Sequence, residues 1–405
     1  MSLIFLRFSR FCATVFALIY LSACAISPAP INADKKEQTI IIEVAVGASH
    51  SIVIDDNNKV WTTGHNKYGQ LALGDTYNRN VFTRVKGLND INITKVAAGY
   101  FYTIALDDSG AVWASGHNNF GQLGLGDLED RYEFVKVDDF SDSKIVSICA
   151  GVNHTIALDD NGLLWVAGDN FNGQAGILGS NYYTRFTRIN SFETLKIVSF
   201  ACGWDQTFAI DDANAVWATG HNYYYQLGLG DRNDRNSFIK IAELNDKNIT
   251  KIVAGDYHSA ALSVDDKIWA CGANFTGQLG ELDLNWRKTF SEIKSLDNRS
   301  IISLYVGAYH SFAIGAENDA NHTLFATGNN SIGQLGLGDY AERAEWTQVA
   351  PICENYAAIA ARDNHSIALC GDGSLFATGF NFHGQLGVGD ERDRYRFTKV
   401  NFYTD

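Results

Sequence analysis

The stretch Trp113-Ala114-Ser115-Gly116-His117-Asn118-Asn119-Phe120-Gly121-Gln122-Leu123-Gly124-Leu125-Gly126-Asp127 decides the fold, because it is one of seven related stretches. Its Gly-Gln dipeptide, or the equivalent, falls at Gly69-Gln70, Gly121-Gln122, Gly173-Gln174, Tyr225-Gln226, Gly277-Gln278, Gly333-Gln334 and Gly384-Gln385. The spacings are 52, 52, 52, 52, 56 and 51 residues. A period of this length marks a repeat architecture, in which each unit buries its apolar surface against the next. Seven units with almost nothing between them point to one closed object over residues 39–405 rather than the two or three domains that 405 residues would otherwise suggest.

The second unit shows what each repeat is made of. Ile93–Ala98 reads as an apolar strand, Gly99–Tyr102 as a turn, and Thr103–Leu106 as a second strand. Asp107-Asp108-Ser109-Gly110 is a polar hairpin turn, followed by strands at Ala111–Ala114 and Phe134–Val137 on either side of the long loop. Short Val-, Ile- and aromatic-rich strands bounded by Gly, Asn and Asp form an antiparallel meander. Four strands taken seven times predict an all-β chain, a seven-bladed β-propeller of four-stranded antiparallel blades.

The pattern Ala-Gly-x-x-His-Ser/Thr-x-Ala-Leu, then Val-Trp-x-x-Gly-x-Asn-x-x-Gly-Gln-Leu-Gly-x-Gly-Asp, resembles the repeat of the regulator of chromosome condensation family. Ala98-Gly99, Ala150-Gly151 with His154, and Ala254-Gly255 with His258 carry it. The resemblance covers about nine-tenths of the chain and implies the seven-bladed fold. The chain starts with a first-type strand at Ile40–Val46 and ends just after a fourth-type strand at Arg396–Val400. Pairing of the two termini in one blade would lock the circle, and the sequence leaves open whether they pair.

Residues 1–23 read as a secretory signal peptide, with Arg7 and Arg10 ahead of an apolar run from Phe11 to Leu21. That run is too short for a spanning helix, which needs about 20 apolar residues. Leu21-Ser22-Ala23-Cys24 resembles the bacterial lipoprotein cleavage box, which implies lipidation at Cys24. Several acyl chains on one residue anchor a protein stably. Ala25 and Ile26 follow, so the retention signal of inner-membrane lipoproteins, an Asp after the cysteine, is absent, which favours the outer membrane. A secreted protein is the alternative. Residues 24–38 read as a short flexible, lipid-anchored tether.

The net charge is −14, with no run of Lys or Arg, which disfavours nucleic acid as a partner. His50, His154, His258, His310 and His365 share one repeat position; His65, His117 and His221 share another. One per blade around a ring, they are spread too widely to converge on a metal ion, so hydrogen bonding within or between blades is expected. Tyr102 and Gln206 replace the first-set His in two units. The Gly-rich loop lacks the Lys-Ser/Thr of a nucleotide-binding loop and opens no helix. The acid pairs Asp55-Asp56, Asp107-Asp108, Asp159-Asp160, Asp211-Asp212 and Asp265-Asp266 read as hairpin turns. Trp61, Trp113, Trp165, Trp217 and Trp269 read as blade core and nothing more. Cys149, Cys202, Cys271, Cys353 and Cys370 are odd in number and unpatterned, so buried free thiols are expected. No cofactor, metal site or catalytic residue is indicated, so the chain is read as a non-enzyme.

Strand direction places the first-to-second turns and the long loops on one face of the disc. That face collects Tyr68, Phe120, Phe171, Tyr223, Tyr224, Phe275, Trp286 and Phe382 from the long loops. It collects Tyr100, Phe101, Trp204, Tyr257 and Tyr309 from the short turns. Rings interleaved with Arg have the composition of protein-interface hot spots. The opposite face is expected to be mainly acidic and small. The sequence thus reads as a monomeric, membrane-tethered binding propeller whose aromatic face takes a protein partner.

The resemblance implies an alternative. The family's founding member is an exchange factor for a small Ran-type GTPase, which would make a small GTPase the partner. The only added length here is about four polar residues near Ala316–Asn321, and no basic tail is present. Plant ultraviolet photoreceptors with a similar repeat cluster Trp at the Gly-x-x-His turn, where this chain has only Trp204.

Overall fold

A computed structural model of the chain describes residues 39–140, 143–192, 195–296, 299–318 and 321–402. The expected signal peptide, Cys24 and the expected tether fall outside the described residues. Blade one consists of β1 (Ile41–Val46), β2 (His50–Asp55), β3 (Val60–Gly64) and β4 (Arg79–Arg84), hydrogen-bonded in that order. Six further four-stranded antiparallel sheets repeat the plan, each built from consecutive strands. Single turns of 3-10 helix at Asn190–Phe192 and Ala242–Leu244 are the helical pieces among the described residues.

The expected strands of the second unit are observed with small shifts. The first runs Ile93–Ala98 as read; the second begins one residue early, at Tyr102. In all seven blades the second strand is buried on both sides. It therefore reads as a continuous apolar run, HTIALD at His154–Asp159, instead of alternating. The reason is that the cores lie between blades. One core joins Tyr102, Ile104 and Leu123 of blade two to Ile145, Ile148 and Phe186 of blade three.

At the ring closure the termini do not share a blade: β1 to β4 come from the N-terminal repeat alone, and Tyr356–Lys399 supplies all of blade seven. The circle closes with the same contacts that join every other pair of blades. Ile41, Val53 and Phe82 pack against Ile367, Leu375 and Leu386. The Ile41 N–H donates to the Gly373 carbonyl at 3.2 Å, and Thr63 Oγ1 donates to the Gly384 carbonyl at 2.9 Å. Seven in-phase repeats make the seventh interface equivalent to the other six, so no strand exchange is needed.

The cysteines differ from the expectation. Cys149 and Cys202, on the innermost strands of blades three and four, form a disulfide. Cys353 and Cys370 form a second one beside blade seven, and Cys271 alone of the five is a buried free thiol. The first pair is 53 residues apart in sequence but 5.9 Å apart at Cα, because the repeat sets neighbouring inner strands side by side.

The bulge in the first strand of each blade sends a residue outward on the second face. Ile42, Val146, Val198 and Ile302 are each about half exposed there. That face is therefore not simply acidic and small. The longer turn of the sixth unit is an extension of one hairpin, whose strands are His310–Asn318 and Asn321–Gly328.

Candidate functional site

Three polar devices fix the loops that carry the aromatic residues. The first is the turn acid. Asp107 Oδ1 accepts the N–H of Ser109 and of Ala111, each at 2.9 Å, while Oδ2 accepts the Trp113 indole N–H at 3.0 Å. Asp55, Asp159 and Asp211 do the same with Trp61, Trp165 and Trp217. The acids are turn caps, as expected, but the tryptophans are more than core: each indole N–H has a carboxylate partner. In blade five Ser263 holds this place, so Asp265-Asp266 sits two residues further along the turn, and the Trp269 indole is unpartnered.

The second device joins the blades. His50 Nε2 lies 3.0 Å from Thr103 Oγ1 of the next blade, and that hydroxyl donates to the Gln70 carbonyl at 2.7 Å. The hydroxyl has one proton and gives it to the carbonyl, so His50 must donate from Nε2. The same chain runs His154–Thr207, His258–Ser311, His310–Ser366 and His365–Ser51, the last across the closure. Each Nδ1 is left without a partner. Burial drives these imidazoles down to a pKa of about 3, or about 4 for His258, so they are neutral. Where Tyr102 and Gln206 stand in, they bond the next blade's backbone instead: Tyr102 to the His154 carbonyl at 2.5 Å, Gln206 to the Gly255 carbonyl at 2.7 Å. The histidines are inter-blade bolts.

The third device braces the long loop. Asn118 Oδ1 accepts the Leu123 N–H at 3.0 Å, and Gln122 Nε2 reaches His117 Nδ1 at 3.2 Å. Six loops close with an aspartate–arginine pair four residues apart, from Asp75–Arg79 to Asp390–Arg394, at 2.5–2.8 Å. These arginines also donate to carbonyls of their own loop, so they brace the loops and are not open to a partner. That changes the expected mixture of rings and free Arg. Blade three, where the consensus fails, has no such pair among the described residues, and Asn170 there bonds the Ile177 and Ser180 carbonyls.

On this scaffold none of the thirteen rings named from sequence is buried. They do not form one belt. Trp204, Tyr223, Tyr224, Tyr257, Phe275, Trp286 and Tyr309 form a continuous cluster over blades four to six. Tyr224 is its hub, with centroids 4.9 Å from Tyr257, 5.1 Å from Tyr223, 5.7 Å from Trp286 and 6.1 Å from Phe275. Tyr257 stacks on Tyr309 at 4.6 Å and meets Trp204 at 5.2 Å. A second group on blades one and two joins Tyr68, Phe101 and Tyr100. Phe382 reaches it through His383 and His65. Phe120 and Phe171 stand exposed, outside both groups.

Tyr225 and Arg362 depart from the repeat in the sequence without a role being legible there, and Arg232 carries no signal at all. Tyr225, in the place of a loop glycine, holds φ at 62° and brings its ring beside Trp286. The exposed Arg232 guanidinium lies 5.3 Å from the centroid of Tyr223, 4.9 Å from Tyr225 and 5.2 Å from Trp286. Arg362 replaces the turn glycine of the other six repeats and reaches across the central channel. Its Nη1 donates to the Ala150 carbonyl at 2.8 Å and the Ala98 carbonyl at 3.2 Å, on blades three and two. The channel encloses about 370 Å³, lined by inner strands of all seven blades, with Arg362 and Asp256 among the lining residues. Burial raises Asp256 to about 6 and Asp205 to about 7, the latter helped by the neighbouring charges of Asp169 and Asp256; burial also raises Asp363. The departure at Arg362 was the one sign in the sequence that the channel mouth is unusual.

The comparisons with known proteins agree with this architecture. The model of the RCC1-like domain matches residues 21–352, and that of the regulator of chromosome condensation (RCC1) repeat matches residues 356–385. The ultraviolet-B receptor UVR8 of Arabidopsis thaliana is 28% identical over 362 residues, covering 89% of this chain and 81% of that protein. The human X-linked retinitis pigmentosa GTPase regulator is 29% identical, over 59% of this chain and 28% of its own length. Among solved structures, Prp20p from Saccharomyces cerevisiae superposes with a TM-score of 0.75 at 22% identity, over 90% of this chain and 88% of that one, a likeness of fold. By its repeats, its seven blades and these matches, the chain belongs to the RCC1-like domain family.

Proposed function

We propose that this protein is a non-catalytic binding propeller, exported and held at the cell envelope by a lipid on Cys24, that acts as a monomer and recognises a protein partner through the ring cluster of blades four to six. The observation that carries the reading is the cluster itself. Seven large side chains from three blades touch one another on one face; Tyr223 (53%) and Phe275 (44%) are exposed and the other five are half-buried. Contiguous exposed apolar surface of this kind marks a binding site. Two disulfides support export, because such bonds persist in oxidising compartments. Replacing Trp204, Tyr224 and Phe275 together with alanine abolishes capture of the partner from native cell envelopes while leaving the melting curve of the ring intact. Unchanged capture would refute the reading.

A second reading is nucleotide exchange on a small Ran-like GTPase. It is favoured by the names of relatives: one is a GTPase regulator, and Prp20p is described by its binding to Gsp1p and histones. Release of labelled GDP from a Ran-type GTPase, with and without the purified protein, separates the two readings.

A further inference from the structure

Within that binding face, and resting on it, we propose that the inner end of the cluster is a seat for one lysine or arginine side chain of the protein partner, held between the rings of Trp204, Tyr257 and Tyr309 and the carboxylate of Asp256.

The placement follows from the turn sequence. Trp204-Asp205 in blade four and Asp256-Tyr257 in blade five occupy the same two turn positions. Rings and acids therefore alternate around the channel mouth, and the turns touch through the Trp204 N–H and the Gly255 carbonyl at 3.3 Å. Asp256 is only 6% exposed and faces the channel, and no hydrogen bond to its carboxylate is made by the described residues. Its neighbours supply no ion pair: Arg362 draws the carboxyl down through its charge, against the larger effect of burial, without pairing with it. Asp205 takes its hydrogen bonds from Asn172 and Gln174, both neutral, at 3.0 and 3.2 Å. Arg362 is the cation at the mouth, but its Nη1 is spent on two carbonyls, its Nη2 has no partner, and it stands in no ion pair among the described residues. Three carboxylates, Asp205, Asp256 and Asp363, thus face one guanidinium that contacts none of them closely.

The electrostatics agree. The charge of Asp256 is felt by Tyr100, Tyr257 and Tyr309, helping to raise all three phenols, and it helps to raise Asp205. A desolvated carboxylate at the inner edge of an aromatic cluster is complementary to an organic cation, which gains from both ring quadrupoles and carboxylate. The outer end of the same cluster already displays this chemistry, with Arg232 over Tyr223, Tyr225 and Trp286.

The test uses the full chain and blocked pentapeptides acetyl-Gly-Gly-X-Gly-Gly-amide, with X lysine, arginine, norleucine or glutamate. Saturation-transfer NMR at pH 8, where Asp256 and Asp205 are ionised, measures relative affinity. The lysine and arginine peptides bind at least about tenfold more tightly than norleucine, and Asp256→Asn brings them down to the norleucine level. Equal binding of lysine and norleucine, or an unchanged Asp256→Asn protein, overturns the seat. Should Asp256→Asn fail to fold, Asp363→Asn is read in the same way and is expected to weaken lysine binding severalfold. Partner capture distinguishes this inference from the binding face. Capture lost with Tyr224→Ala/Phe275→Ala but kept with Asp256→Asn sinks the seat alone, and capture kept by both variants sinks the face as well.

Discussion

Acid should unfold this propeller earlier than its surface carboxylates would suggest, and the inter-blade histidines set where. Each of the five is neutral and buried in the folded chain, with its pKa moved from 6.5 to about 3, or about 4 for His258. The unfolded chain takes up those protons near pH 6.5. The folded pKa is depressed, so the associated stability is present above pH 6.5 and is lost as pH falls toward the folded values. Each histidine costs about 1.4 kcal/mol per pH unit in that window. Asp256 and Asp205 act with the opposite sign. Their folded pKa values are raised to about 6 and about 7, so below those values the folded chain holds protons that the unfolded chain does not. Between pH 6 and 4 these seven groups give about three protons gained on unfolding, or ~4 kcal/mol per pH unit; His65, lowered to about 4, adds to this, and the raised Asp363 and Asp169 oppose it. Against a typical stability of 5–15 kcal/mol, the ~8 kcal/mol lost between pH 6 and 4 unfolds the ring near pH 5 at the low end of that range and below pH 4 at the high end. The assay is urea unfolding followed by tryptophan fluorescence at pH 7.5, 6, 5 and 4.5. His154→Gln is the control, since Gln206 already fills the same position in blade four with a bond to the Gly255 carbonyl. It reduces the slope by about 1.4 kcal/mol per pH unit, and Asp256→Asn steepens it by a similar amount. Stability that is flat or rising from pH 6 to 4.5, or a slope that His154→Gln leaves unchanged, would refute the argument.

Two other substitutions test the scaffold. Asp107→Ala removes acceptors for Ser109, Ala111 and the Trp113 indole at once and should cost about 2–4 kcal/mol, whereas Asp108→Ala on the exposed side of the turn should cost under about 0.5 kcal/mol by urea melts. Alkylation of the unreduced, denatured propeller should label Cys271 and none of its other four cysteines; Cys149→Ser should lower the stability of the ring by about 2–4 kcal/mol, and labelling of Cys202 in the unmutated protein would contradict the inter-blade disulfide.

The sequence by itself determined the number of blades, the strand plan of each and the face on which the rings gather. Those are period and alternation properties, and both are local. The 52-residue step at Gly121-Gln122 fixed the ring because every unit must bury the same apolar strand against a copy of itself. The shared position of His50 and His154 also foretold a structural hydrogen bond, within or between blades, and the closed circle places it between them.

Tertiary structure decided what happens where the repeats stop being alike. Cys149 and Cys202 pair because the inner strands of adjacent blades run side by side across 53 residues of sequence. The rings divide into two groups because which blade's turn meets which blade's loop depends on the circle. Arg362 bridges blades two and three from blade seven, a contact 212 residues away at Ala150 that no repeat spacing encodes. The same holds for Asp256: as the residue after a turn glycine it looks like any loop acid, and only the closed channel removes it from water and sets it near Arg362 without an ion pair. Periodicity reports each unit's relation to the next one along the chain, whereas the central channel is the one place where all seven meet.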